Sequence, residues 1–136
     1  MRKFPVYVQQ GSFDCGPTCL LMVASYYGKN AVIETNAEDA GATMAALAKD
    51  AEKSGFDVRN VRVVQFHFDA LSQLQLPAIA HWIESGRAHW VVITEIVDGW
   101  IYVADPGWPF GGMRRFSRAD FINCWDGILM LLSPRK

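Results

Sequence analysis

The stretch AHWVVITEIV, followed by Asp98-Gly99 and then by WIYVAD, limits the possible folds more than any other part of the chain. Two runs rich in Val, Ile, Trp and Tyr, Ala88 to Val97 and Trp100 to Ala104, are separated by two residues only. Asp-Gly in that position is the signature of a tight antiparallel hairpin. Phe56 to Val64 and Pro77 to Trp82 have the same strand-forming composition, and Ile128 to Leu132 is expected to close the sheet. Between them, Arg118 to Cys124 reads as a short helix capped by Ser117.

The first half has a helical period instead. Cys15 to Tyr27 is a helix-length apolar run ended by Gly28, and Thr35 to Ala42 is a polar turn. From Thr43 to Ser54, Met44, Leu47, Ala48 and Ala51 recur at helical spacing before Gly55. Helices first and a mostly antiparallel sheet second predict an α+β fold, an N-terminal helical part packed on a C-terminal sheet. At 136 residues the chain, 1–136, is expected to be a single domain. No internal repeat, low-complexity tract or linker interrupts it.

Charge and cysteine usage exclude several functions. With 13 basic and 14 acidic side chains the net charge is -1, which offers no nucleic-acid or polybasic membrane surface. Three cysteines without a CxxC pair point to a reducing compartment. The opening MRKFPVYVQQ lacks the apolar core of a secretory signal. The longest apolar stretches, Leu20 to Ala24 and Ile128 to Leu132, fall far short of the roughly 20 residues that span a bilayer. A soluble, cytoplasmic protein is therefore expected.

The chemistry concentrates at the start of the first helix. A thiol is a useful nucleophile only as thiolate, which is favoured at a helix N-terminus or beside a histidine. Asp14 suits the N-cap and Pro17 the first turn, so the helix begins at or beside Cys15. The free N–H groups there favour a thiolate and a developing oxyanion, and Gly16 leaves room for a substrate. Cysteines are more often buried packing residues, the reading adopted for Cys19 and Cys124. Cys15, between an aspartate and a glycine in the first turn, is poorly placed to fill a core.

Counted from the Asp98-Gly99 turn, His89 and Asp105 lie toward the same open end of the hairpin. That suits an imidazole oriented by a carboxylate, with its other nitrogen taking the thiol proton. Asp105, before Pro106-Gly107, also fits a simple turn residue. His81 is the competitor for the base, with no acidic residue placed as neatly as Asp105, and His81 and His67 read as surface or satisfied core. Cys15, His81, His89 and Asp105 lack compact metal-ligand spacing, so neither a metal nor another cofactor is expected.

Longer motifs carry a resemblance: Gln9 six residues before Cys15, then DCGPTCLLMVASYYGKN, GATMAALAKDAEKSGF, LPAIAHW, HWVVITEI, IYVADP and FINCWDGILMLL. Over nearly its whole length the chain resembles the double-glycine leader peptidases, papain-like cysteine peptidase domains of bacterial ABC transporters that mature and export bacteriocins. The resemblance implies Cys15 as nucleophile, His89 as general base and acid, Asp105 as orienting carboxylate and Gln9 as oxyanion donor. Gln10 takes that last part if the register differs by one. It further implies cleavage after a Gly-Gly pair, with a leader helix laid in a hydrophobic groove. Trp90, Trp82 and Trp108 are candidates to wall the glycine subsites by steric exclusion, and each is equally a candidate for the core.

The chain also departs from that family. No transmembrane or nucleotide-binding portion is present, Asn30 to Gly41 is shorter than usual, and GWPFGGMRR is rich in Trp, Pro and Gly. The partners expected are a peptide or protein with a Gly-Gly site and a transporter domain, or an immunity protein if the domain is instead the toxin of an interbacterial effector. A catalytically inactive leader-binding module is the third reading.

Overall fold

A computed structural model of the chain describes residues 4–7, 15–34, 43–63, 75–84, 86–107 and 111–135. Three helices are present among them: α1 (Cys15–Tyr26), α2 (Met44–Lys53) and α3 (Arg118–Cys124). Six strands accompany them: β1 (Phe56–Arg62), β2 (Ala78–Glu84), β3 (Arg87–Val97), β4 (Trp100–Asp105), β5 (Gly112–Ser117) and β6 (Trp125–Pro134). All neighbouring strands are antiparallel, in the order β1-β6-β2-β3-β4-β5. The α+β architecture expected from the sequence is the one observed.

The hairpin that constrains the fold is formed by β3 and β4. Asp98 and Gly99 have φ of 52° and 80°, the two positive values that a type I′ turn needs to follow the twist of its strands. Pairing runs from Val97↔Trp100 to Val92↔Ala104, with a shift of register between Ile93 and Glu95. Thr43 caps α2 by accepting the Ala46 N–H at 3.1 Å, and Ser117 caps α3 by accepting the Asp120 N–H at 3.2 Å.

Both faces of the sheet are covered, which explains why its strands read as nearly continuous apolar runs. On one face α1 and α2 bury Leu20, Val23, Leu47 and Ala51 against Phe56, Ile79, Trp90, Val92, Ala104, Met130 and Leu132. On the other, α3 brings Phe121 against Trp82, Val91, Ile93, Ile101, Val103, Trp125 and Leu129.

Two strands differ from expectation. β5 was not anticipated, because Gly112, Arg114 and Arg115 mask the alternation of a strand, yet its pairing with β4 is complete from Trp100↔Ser117 to Asp105↔Gly112. β6 does not close the sheet: it lies between β1 and β2, and it begins three residues before Ile128 and ends two after Leu132. A strand is stable inside a sheet when its central residues are apolar enough to be buried on both faces, as Leu129 to Leu132 are.

Candidate active site

α1 lies on the sheet with its first residue, Cys15, at the end of the helix where backbone N–H groups have no partner within the helix. Cys15 is 7% exposed and Gly16 beside it is buried, within the core that contains Trp90 and Val92 of β3. His89 is near the start of β3 and Asp105 is the last residue of β4. One step past the Val92↔Ala104 pair, the register sets Asp105 opposite Val91, diagonal to His89. The sequence-predicted Cys15, His89 and Asp105, from three elements, are thus brought together.

His89 Nε2 is 2.6 Å from Asp105 Oδ1. The ring of His89 is mostly buried, with 20% of its side chain exposed, and the Asp105 side chain is 8% exposed. Burial opposes ionisation of both groups and is the largest single influence on each. For Asp105 it is outweighed by the hydrogen bond and charge of His89, the Arg114 guanidinium and the Gly107 N–H, which together hold the carboxyl down at about 2. An ionised carboxylate only accepts, so Nε2 of His89 carries a proton. The other ring nitrogen is left for Cys15, whose thiol is hydrogen-bonded to His89. Against the cost of burial, the hydrogen bonds to Asp105 and Cys15 and their charges raise His89 to about 9.

The turn after Asp105 is part of the site. Gly107 N–H donates to Asp105 Oδ1 at 2.8 Å, so the oxygen that accepts the histidine N–H also organises the Asp-Pro-Gly turn. A Cβ on Gly107 would lie 3.0 Å from that oxygen and 3.6 Å from His89 Nε2. Gly111 is packed more tightly still, since a Cβ there would meet Gly107 O at 2.1 Å and Asp105 O at 2.6 Å.

Three features of this region were not anticipated from the sequence. Arg114 of β5 donates through Nη1 to Asp105 Oδ2 at 2.7 Å and grips Glu84 of β2 with two bonds of 2.8 Å. Nothing in the sequence links Glu84 to Arg114, 30 positions away, because an arginine bound to acids reads as an ordinary surface charge. His81, thought to lack a well-placed acid, is 2.5 Å from Asp126 and sets its ring edge-on to Trp90 at 4.8 Å. Asp126 is brought there by β6 lying beside β2, a neighbourhood visible only in the tertiary fold.

The tryptophan candidates separate. Trp82 has no exposed surface and packs on Phe116 and Phe121, while Trp90 is 6% exposed, in the core with Cys15. Gln9, Gln10, Asp14, His67, Trp108 and the turn at 35–42 lie outside the described residues. Cys19 is fully buried, and burial, with the nearby Cys15 and Asp105, pushes its thiol up, as fits a packing cysteine. Cys124 is half-buried at the end of α3. No described helix is long and apolar enough to cross a membrane, and no three His, Cys, Asp or Glu side chains among the described residues converge as metal ligands.

Known proteins share this arrangement of elements. The sequence model of the peptidase C39 family matches residues 3–136. The transport/processing ATP-binding protein ComA of Streptococcus pneumoniae is 32% identical over 132 residues, 93% of this chain and 18% of ComA. The chain thus spans about a fifth of the length of ComA and of the similar processing and transport ATP-binding proteins. The crystal structure of the peptidase domain of Streptococcus ComA superposes with a TM-score of 0.84 at 27% identity, covering 98% of this chain and 100% of that domain. A double glycine motif protease from an AMS/PCAT transporter, crystallised with its leader peptide, has the same fold, with a TM-score of 0.84 at 24% identity over 97% of this chain and 92% of that one.

Proposed function

Since the chain belongs to the peptidase C39 family and is a cysteine peptidase domain, we propose that it cleaves peptides on the carboxyl side of a Gly-Gly pair, with Cys15, His89 and Asp105 as the reacting set. The observation that carries this reading is the hydrogen-bonded series from the Cys15 thiol at the start of α1 through His89 to Asp105. The leader peptide bound to the AMS/PCAT protease and the processing role in the name of ComA support the substrate class.

With His89 raised to about 9, the imidazole is protonated at neutral pH beside Cys15, whose sulfur is the nucleophile as its thiolate. The thiolate attacks the carbonyl carbon of the second glycine, and the carbonyl π electrons move to oxygen. The resulting oxyanion faces the free N–H groups of the first turn of α1, with the Gln9 amide as the side-chain donor. As the tetrahedral intermediate collapses, the peptide C–N bond breaks and His89 gives its proton to the departing amine. A water then attacks the thioester, losing its proton to the neutral imidazole, and the Cys15 thiolate leaves from the second intermediate. Asp105 keeps its charge throughout and holds the ring in one orientation. Gly16 brings no side chain beside the thiol, and Trp90, in the same core as Cys15, is the candidate to wall the subsite that accepts glycine.

The test is mass spectrometry of a synthetic peptide with an amphipathic leader ending in Gly-Gly, incubated with the wild type and with Cys15→Ala. A single new C-terminus after Gly-Gly, lost in Cys15→Ala and in His89→Ala while both remain folded, is the expected result. Cleavage retained in Cys15→Ala would overturn the mechanism.

A further inference from the structure

Asp105 does not hold His89 unaided. Its two oxygens accept from three sides: Oδ1 from His89 Nε2 and Gly107 N–H, and Oδ2 from Arg114 Nη1. Arg114 comes from β5, one strand beyond Asp105, and its guanidinium is closed on the far side by the two bonds to Glu84. Glu84 is in turn fixed by the indole of the fully buried Trp82, whose Nε1–H donates to Oε1 at 3.2 Å. The guanidinium also lies over the ring of Phe116 at 4.8 Å. Charges alternate along the line: Glu84 negative, Arg114 positive, Asp105 negative, His89 positive.

We propose that Arg114, clamped by Glu84, is a positioning residue for the cysteine peptidase reaction, fixing the Asp105 carboxylate so that Oδ1 stays aimed at His89 while Glu84 offsets the guanidinium charge. The inference rests on the reading of Cys15, His89 and Asp105 as the reacting set. Its physical basis is geometric and electrostatic. A carboxylate held only by His89 and a turn N–H is free to rock about its Cβ–Cγ bond; a third donor on the opposite oxygen removes that freedom. An arginine beside Asp105 would by itself disfavour the imidazolium, and the Glu84 carboxylate on its other edge compensates. Only a planar fork makes both contacts at once, so lysine is not equivalent.

The ionisable groups that act on His89 directly are Cys15 from α1 and Asp105 from β4; Arg114 and Glu84 reach it through Asp105, Cys19 of α1 lies by Cys15 and Asp105, and Cys124 of α3 lies near Glu84 and Arg114. Changing Glu84 and Arg114 therefore moves His89 in opposite directions. Glu84→Gln leaves the guanidinium uncompensated and lowers the titration midpoint of His89. Arg114→Met leaves the Glu84 charge uncompensated and raises it. The double variant Glu84→Gln/Arg114→Met returns it close to the wild-type value.

The experiment follows the imidazole resonances of the full chain, labelled in histidine, through a pH titration by NMR, with His89 assigned from His89→Gln. In parallel, steady-state rates are measured on the synthetic Gly-Gly leader peptide. Expected are the opposed midpoint shifts, with kcat reduced about 10²-fold in both Arg114→Met and the double variant and KM nearly unchanged, as for a misplaced catalytic group. Arg114→Lys is expected to restore the midpoint but not kcat. Midpoints that stay put or move in the same direction, or an unchanged kcat in folded Arg114→Met, would overturn the proposal. If Arg114→Met does not fold, the near-isosteric Glu84→Gln carries the test through its downward shift. A wild type that leaves the peptide intact overturns the substrate reading alone, because the histidine titration needs no substrate.

Discussion

At the scale of single residues, the site depends on how one carboxylate is used. Asp105 organises its own turn through Gly107 and accepts the His89 Nε2–H on the same oxygen. Replacing it with asparagine keeps the size but removes the charge that sustains the imidazolium, while the burial that opposes it remains. Asp105→Asn should therefore shift the alkaline limb of the kcat/KM profile from about 9 toward or below the ordinary histidine value of 6.5. The rate itself should fall on the order of 10³- to 10⁴-fold, the cost of losing the orienting carboxylate. Alkylation of Cys15 should persist. A pH profile with an unmoved alkaline limb would show that Asp105 does not set the protonation of His89.

At the scale of elements, the junction of β4 and β5 matters most for the site. Gly111 sits directly on the backbone of Asp105 and Gly107, where a Cβ would be 2.1 Å from a carbonyl oxygen that cannot swing aside. Gly111→Ala should push β5 away from β4, destabilising the fold by about 1–3 kcal/mol as overpacking does. Because β5 carries Arg114, the rate should fall with it. Gly107→Ala, whose nearest neighbour is a side-chain oxygen at 3.0 Å, should cost less stability. Denaturant midpoints of the two variants compare these directly, and equal losses would mean that the loop is more accommodating than its packing implies. The same junction explains why β5 was not legible: Gly111, just before it, is required by a close approach, and its arginines have partners on other strands.

At the scale of the whole molecule, the sheet is a central layer and successive residues of one strand serve opposite cores, as Leu129 and Met130 of β6 do. Ionisation of the site is linked to the stability of this assembly. His89 is raised from 6.5 to about 9, so its contribution is fully present below 6.5 and is lost as pH rises through 9. Asp105 is lowered from 3.8 to about 2, so its contribution is present above 3.8 and is lost as pH falls through 2. These are largely one interaction seen from its two partners and count once, at roughly 3 kcal/mol. The thermal midpoint of wild type minus that of His89→Gln should thus be largest near pH 5 to 6 and shrink toward pH 9. A difference independent of pH would remove the linkage.

What the sequence determined by itself is whatever local chemistry decides. The Asp98-Gly99 turn, the ends of α1 and α2 and the caps Thr43 and Ser117 depend on φ preferences, apolar period and side chains three residues away, all within a short reach of chain. The nomination of Cys15, His89 and Asp105 drew on the same local signals and on one hairpin register. Only the tertiary structure decided that β6 enters the sheet between β1 and β2, that Asp126 meets His81, and that Arg114 joins Glu84 to Asp105. The side-chain contacts among these join residues up to 45 positions apart, and a charged side chain bears no mark in the sequence of whether it will face water or a buried partner.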